Sequence, residues 1–434
     1  MENKKNTSPW AWIPSLYLAE GLPYGMVVVA SVVMYTNLGL ATDKAVFYTS
    51  LLYLPWVIKP FWSPFVDILK TKRWWIFAMQ LLIGTGFAGI AFTIPVGNFY
   101  VQATLAFFWL LAFSSATHDI AADGFYMLGL DTNQQSVFVG IRSTFYRIAN
   151  TLGQGAMVMA AGYLAKSMGF HVAWAIIFFI LAGLFVVFAF YHRFILPRPA
   201  VDAPRVDLNA KGILKEFGEA FVTFFKKPHI LFALFFLLTF RLAEGQIVKL
   251  IGPFMLASTT DGGLGIATED FGFAYGIMGI IGLTCGGIVG GIAASRGGLK
   301  KWLWPMTLIM VPNALIYVIL SYTQPGSLFV IIPCVMLEQF CYGFGFAAYM
   351  LFMMYIASDA GKGNKHQASH YAICTGFMAL SMMLPGLIAG WMQKILGYQH
   401  FFIFVLGCAI VPIIAVSLLK VDPAYGKKDK VEKK

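Results

Sequence analysis

The chain has 434 residues, 59% of them hydrophobic and 12% charged. A soluble domain carries about a quarter charged residues, so this composition excludes a water-soluble globule for most of the chain. The formal net charge of +11 is spread over short polar segments and the two ends, which excludes a single nucleic-acid-binding face.

Residues 1–9 are polar and the first apolar run is too long for a signal-peptide core, so an uncleaved first span is expected. It covers 10–37 and carries Pro14, Gly21, Pro23 and Gly25 around Glu20, which allows local unwinding there. The second span, 44–69, holds Lys59 and ends at Asp67, with Lys70, Lys72 and Arg73 following in a basic loop. After the third (74–95), the fourth (99–127) sets Asp119 and Asp123 one turn apart on one helix face. His118 points elsewhere and reads as a hydrogen-bonded packing residue. The fifth span (137–165) carries Tyr146-Arg147-Ile148, and the sixth is 171–195.

Residues 196–228 are the one long polar connection. Within it Leu214, Phe217, Phe221 and Phe224 recur at helical spacing among Lys211, Lys215, Glu219 and Lys226, predicting an amphipathic helix along the cytoplasmic face. The seventh span (229–257) contains Arg241, Glu244 and Lys249. The eighth (270–294) repeats glycine at four-residue spacings (272/276, 282/286, 286/290, 287/291), which permits close helix contact. Then come 302–321, 327–357 with Glu338, 367–393 and 398–419. Each stretch reaches the roughly 20 residues that cross about 30 Å of hydrocarbon. Cys285, Cys334, Cys341, Cys374 and Cys408 lie in apolar runs without metal-ligand or CxxC spacing, so no disulfide is expected.

The expected fold is an all-α membrane protein with twelve transmembrane helices in two pseudo-symmetric six-helix bundles. The bundles are 1–195 and 229–419, joined by the linker 196–228 and followed by a basic tail, 420–434. With the N-terminus inside, only Lys44, Lys166 and Lys394 fall in external loops. Lys300, Lys301, Arg296 and the tail residues Lys427, Lys428, Lys433 and Lys434 are then internal, so both termini are expected in the cytoplasm. Leu18-Ala19-Glu20-Gly21 returns as Leu242-Ala243-Glu244-Gly245, and the Asp67–Trp74 loop aligns with Ser295–Trp302. Tyr146-Arg147-Ile148 parallels Tyr371-Ala372-Ile373. The offsets of 224, 228 and 225 are nearly constant, the mark of a duplicated six-span unit.

Four cations (Lys59, Arg147, Arg241, Lys249) and five carboxylates (Glu20, Asp119, Asp123, Glu244, Glu338) remain at membrane depth. Each costs at least about 2.5–3.5 kcal/mol near the bilayer centre, and buried ion pairs seldom improve on apolar packing. The set is therefore expected to line a shared aqueous path. Asp119 and Asp123 resist joint ionisation unless a cation, Arg147 or Lys59, intervenes. One carboxylate is left over, and a single proton would neutralise it. Asp119 and Glu20 are the first candidates for the proton carrier, with Asp123 beside them. Arg147, Lys59, Arg241, Glu244, Glu338, Tyr24 and Tyr146 are candidates for substrate contact, the tyrosines as stacking surfaces or as plain packing.

Residues 59–73, the run Ser114–Gly124, Leu18–Tyr24 and Tyr146-Arg147-Ile148 resemble one branch of the major facilitator transporters. That branch holds the AmpG-type muropeptide permeases and the acetyl-coenzyme A transporters. The resemblance implies proton-driven import of anhydro-muropeptides, or of the GlcNAc-anhydroMurNAc disaccharide, across a Gram-negative inner membrane for wall recycling. It also implies coupling and gating through Lys59, Asp67, Asp119, Asp123 and Arg147, with Asp67 and Arg73 at a cytoplasmic gate. His118 stands where the branch has Gln, and Ser295 replaces Asp in the second gate. The expected partners are a small-molecule substrate, protons and the lipid bilayer, with no nucleic acid, cofactor or metal, in a monomer whose halves 1–195 and 229–419 rock about a central cavity. Another sugar, an organic anion or an acyl-coenzyme A remains an alternative cargo. A membrane acyltransferase using His118-Asp119 is the distant one, since no nucleophile elbow, metal constellation or phosphate loop is present.

Overall fold

In the computed structural model the described residues are 7–95, 97–130, 132–199, 202, 210–359, 367–423 and 425. The side chains of Asp67, Lys211, Leu214, Phe217 and Ser295, and all of Lys427, Lys428, Lys433 and Lys434, lie outside them. The described residues form helices and their connections, with no strand among them.

Nine helical stretches among the described residues are long and apolar enough to cross a membrane, against twelve expected. Two of the nine are far longer than one crossing: 144–195 with 52 residues and 369–417 with 49. Each bends at a glycine in the left-handed region, Gly169 (φ 76°) and Gly397 (φ 69°), which a residue with a side chain adopts only under strain. Residues 42–69 fall short of the length test because they are broken into Thr42–Leu51, Leu54–Ile58 and Ser63–Leu69 around Pro55, Pro60 and Pro64.

The helices gather into two compact units, one of residues 1–40 and 58–215, the other of 41–57 and 216–434. Residues 41–57 thus pack with the second unit, although they belong by sequence to the first six stretches. In the first unit, helix Ile13–Gly25 lies against Thr132–Thr151, because a Cβ at Gly21 would overlap the carbonyl oxygen of Tyr146. The unwinding that these residues allow is not used at Glu20: the helix runs unbroken through Pro23. Its loosening comes one turn later, as a π-helical segment at Met26–Ala30. A matching π segment, Leu152–Ala156, packs beside it at Gly153.

In the second unit the linker helix Ala210–Phe225 turns Ala220 and Phe224 inward, where His370 and Phe377 cover them. The glycine spacing seen in sequence joins Gly279–Gly297 to Leu328–Ala357: Cβ atoms at Gly282, Gly286 and Gly290 would run into the carbonyl oxygens of Met336, Phe340 and Phe344. Gly286→Val is therefore expected to cost about 1–3 kcal/mol by overpacking, read as a lower Tm in detergent. Gly291→Ala, which meets nothing within 4 Å, should leave Tm in place and serves as the control.

Candidate functional site

In the first unit, Tyr17 and Glu20 share a face of helix Ile13–Gly25, and Asp119 and Asp123 lie toward the end of helix Tyr100–Gly129. The close approach at Gly21 brings helix Thr132–Thr151 alongside. That helix supplies Arg142, whose Nη2 donates to Asp123 Oδ1 at 2.9 Å. The Tyr17 hydroxyl donates to the same oxygen at 3.2 Å. The guanidinium is held between two rings, 4.7 Å from the centre of Tyr17 and 4.9 Å from that of Tyr126, an arrangement that arginine's planar charge favours.

Glu20 is buried and its Oε2 has no hydrogen-bond partner among the described residues. Its charged neighbours are Asp123, Asp119, Arg142 and Lys59. Among the described residues three carboxyls thus face two cations. Of the two cations offered by the sequence, Lys59 is a charged neighbour of Glu20 and Arg147 is exposed; Arg142, not singled out in the sequence, holds the place next to Asp123. Lys59 sits half-buried in the short helix Lys59–Phe61. Tyr146 is one turn from Arg142 on the same helix face and lies near Tyr24.

A second buried polar chain crosses this unit. His118 and His192 lie 3.0 Å from opposite ends of the Gln80 amide, and His192 Nε2 is 2.9 Å from Ser15 Oγ. Four helices are stitched by it, so His118 is the hydrogen-bonded packing residue expected. Gln80→Leu would strip partners from two buried imidazoles, at about 1–3 kcal/mol for each group left unsatisfied. A Tm unchanged by that substitution would show that the chain contributes nothing to stability.

At the unit's polar end, Arg73 donates from its guanidinium to the carbonyl of Arg193. The carboxylate that meets the start of helix Lys72–Thr93 belongs to Asp202 of the linker, which accepts from the backbone N–H groups of Lys72 (2.7 Å) and Arg73 (3.2 Å). A carboxylate there is favoured by the helix dipole. No sequence pattern near Asp202 signals that contact.

In the second unit, Arg241 stands just before helix Leu242–Leu256 and Glu244 in its first turn. The Arg241 guanidinium lies 5.6 Å from the Tyr342 ring centre and 5.3 Å from that of Phe346. Glu338 is fully buried and accepts from the Tyr317 hydroxyl (3.0 Å) and Gln339 Nε2 (2.8 Å). Asn313 Nδ2 is 3.4 Å from Glu244 Oε2. Lys249 is turned away from this group: its Nζ donates to the Thr49 carbonyl at 3.1 Å and lies 5.0 Å from the Tyr53 ring centre. Helix Gln367–Cys408 also reaches helix Thr42–Leu51: Lys394 meets Asp43 at 2.9 Å, and the Lys394 hydrogen bond holds the Asp43 carboxyl below its ordinary range.

Within the first unit Glu20, Asp119, Asp123, Arg142 and Lys59 are charged neighbours, and within the second Arg241 neighbours Glu244 and Glu244 neighbours Glu338. Each cluster has an arginine flanked by aromatic rings and a glutamate from the repeated Leu-Ala-Glu-Gly motif.

The family model for the Major Facilitator Superfamily matches residues 14–369. The chain belongs to the Major Facilitator Superfamily. Among curated relatives of this superfamily member, a putative transporter AmpG 4 of Rickettsia conorii is 25% identical, with 93% of this chain and 94% of that protein covered. The anhydromuropeptide permease of Escherichia coli K12 is 22% identical over 88% of this chain and 74% of its own. Among solved structures, a D-xylose-proton symporter superposes with a TM-score of 0.72 at 12% identity, covering 96% of this chain and 99% of that one. The apolar helices and the superfamily together make this an integral membrane protein of transporter type.

Proposed function

We propose that the chain is a proton-coupled secondary transporter of the bacterial inner membrane, with twelve crossings and both termini in the cytoplasm. Its cargo is an anhydro-muropeptide or the GlcNAc-anhydroMurNAc disaccharide, imported for cell-wall recycling. The observation that carries the coupling is Glu20, buried beside two other carboxyls with two cations among its charged neighbours in the described residues. Ionised, it is a buried charge with one oxygen lacking a donor among the described residues, which costs several kcal/mol; protonated, it carries no net charge. Asp123 is held as the partner of Arg142, so Glu20, with Asp119 beside it, takes up the proton. The cargo is supported by the relatives named as muropeptide permeases, and the aromatic-flanked arginines suit a sugar bearing carboxylates. At the cytoplasmic end, Arg73 and Asp67, with Asp202 added, form the gating set.

The test is uptake of labelled disaccharide by proteoliposomes. An inward proton gradient is expected to drive accumulation above the external level, and a protonophore to collapse it. Competition by unlabelled disaccharide but not by simple hexoses would match the cargo. Uptake indifferent to both gradient and protonophore would sink the coupling.

A further inference from the structure

Glu244 and Glu338 have no part in the proton site assigned to Glu20. Glu338 Oε2 has two donors, Tyr317 and Gln339, whereas its Oε1 has no hydrogen-bond partner among the described residues. Glu338 is 0% exposed, Glu244 2% and Asn313 1%. Asn313 stands on helix Met310–Thr323, with Nδ2 toward Glu244 and its amide also facing Glu338. Its Oδ1, too, has no partner among the described residues. The titratable groups facing Glu338 are Glu244, Tyr275, Tyr317 and Cys341, and the cation facing Glu244 is Arg241. Among the described residues these two buried carboxyls are thus set against one guanidinium.

We propose that Glu338, paired with Glu244 through Asn313, is a second proton-binding site in this protein. A proton on Glu338 Oε1 removes the charge from an oxygen that has no donor among the described residues, in a side chain that is fully buried. Glu244 keeps its charge opposite Arg241 and accepts from Asn313 Nδ2. The proton comes from water and returns to it, and only an O–H bond is made or broken.

The experiment needs no substrate. Infrared difference spectra of the full chain in lipid, taken between alkaline and acid buffer, read the carbonyl stretch of protonated carboxylic acids. Two such bands are expected, one lost in Glu20→Gln and the other in Glu338→Gln. Tyr317→Phe, which removes a donor from Oε2, should shift the Glu338 band without abolishing it, an effect that a merely structural glutamate would not give. An unchanged carboxylic region in Glu338→Gln, checked by a normal melting transition, overturns the proposal. So does an unmoved band in Tyr317→Phe should Glu338→Gln fail to fold. A sodium-dependent rise in Tm with no second band overturns it in favour of a cation site. Disaccharide uptake can succeed or fail independently of these spectra, so the two readings fail separately.

Discussion

Glu20→Gln is expected to abolish uphill accumulation of the labelled disaccharide while leaving exchange across the membrane intact. The substitution keeps the shape of the side chain and fixes it in the uncharged form. A carrier so fixed still binds and turns over, but it no longer links the passage of cargo to the release of a proton. With a gradient of about two pH units, one proton sustains roughly a hundredfold accumulation, since each unit is worth about 1.4 kcal/mol. The Gln variant should stop at an internal-to-external ratio of about one. Counterflow of labelled against unlabelled disaccharide should remain near the wild-type rate. Accumulation at the wild-type level would remove Glu20 from the coupling, and loss of both activities together would point to a role in binding. Asp119→Asn, with its carboxyl a neighbour of Glu20, is the companion variant: it should lower accumulation by changing the field at Glu20.

Much of this site was legible in the sequence because membrane depth makes charge conspicuous. Glu20, Asp119, Glu244 and Glu338 stand out in apolar runs, and all four prove buried. Both glycines of the repeated Leu-Ala-Glu-Gly motif sit at close helix approaches: Gly21 brings its helix onto Tyr146, and Gly245 brings its own onto Ser381, Met382 and Pro385. What sequence could not give was rotation about a helix axis. Arg142 and Arg147 are five residues apart, well over one turn, so they point to different sides, and only packing decides which one meets Asp123. The signal that favours Arg142 is local: it is one turn from Tyr146, and Tyr17 is one turn from Glu20, so the acid and the cation each travel with a tyrosine. The His118–Gln80–His192 chain was illegible for a related reason. Its members lie 38 and 112 residues apart, and no periodicity links them. Glycine spacing in Gly279–Gly297 was readable because close contact requires small residues at fixed intervals whatever the partner helix.

Arg142→Leu is expected to lower disaccharide uptake about a hundredfold, the equivalent of roughly 2.8 kcal/mol at about 1.4 kcal/mol per decade. The loss has two parts. Asp123 would be left facing Glu20 and Asp119 without the guanidinium 2.9 Å away, and a third uncompensated carboxylate would compete for the proton that Glu20 takes up. Tyr17 and Tyr126 would lose the cation between them, about 0.5–1 kcal/mol for each ring. The stability cost is smaller than for a fully buried pair, because the Asp123 side chain keeps 42% exposure and that of Arg142 27%; about 1–2 kcal/mol is expected after solvent screening. Arg142→Lys separates the parts. It restores the charge but neither the planar fork nor the stacking, so stability should recover more fully than uptake. A double-mutant cycle with Asp123→Asn completes the argument. If Arg142 acts through Asp123, the double variant should be more stable than the sum of the two single losses, by about 1 kcal/mol of coupling. Strict additivity would mean that the 2.9 Å contact carries no net energy, and that Arg142 matters through its two tyrosines alone.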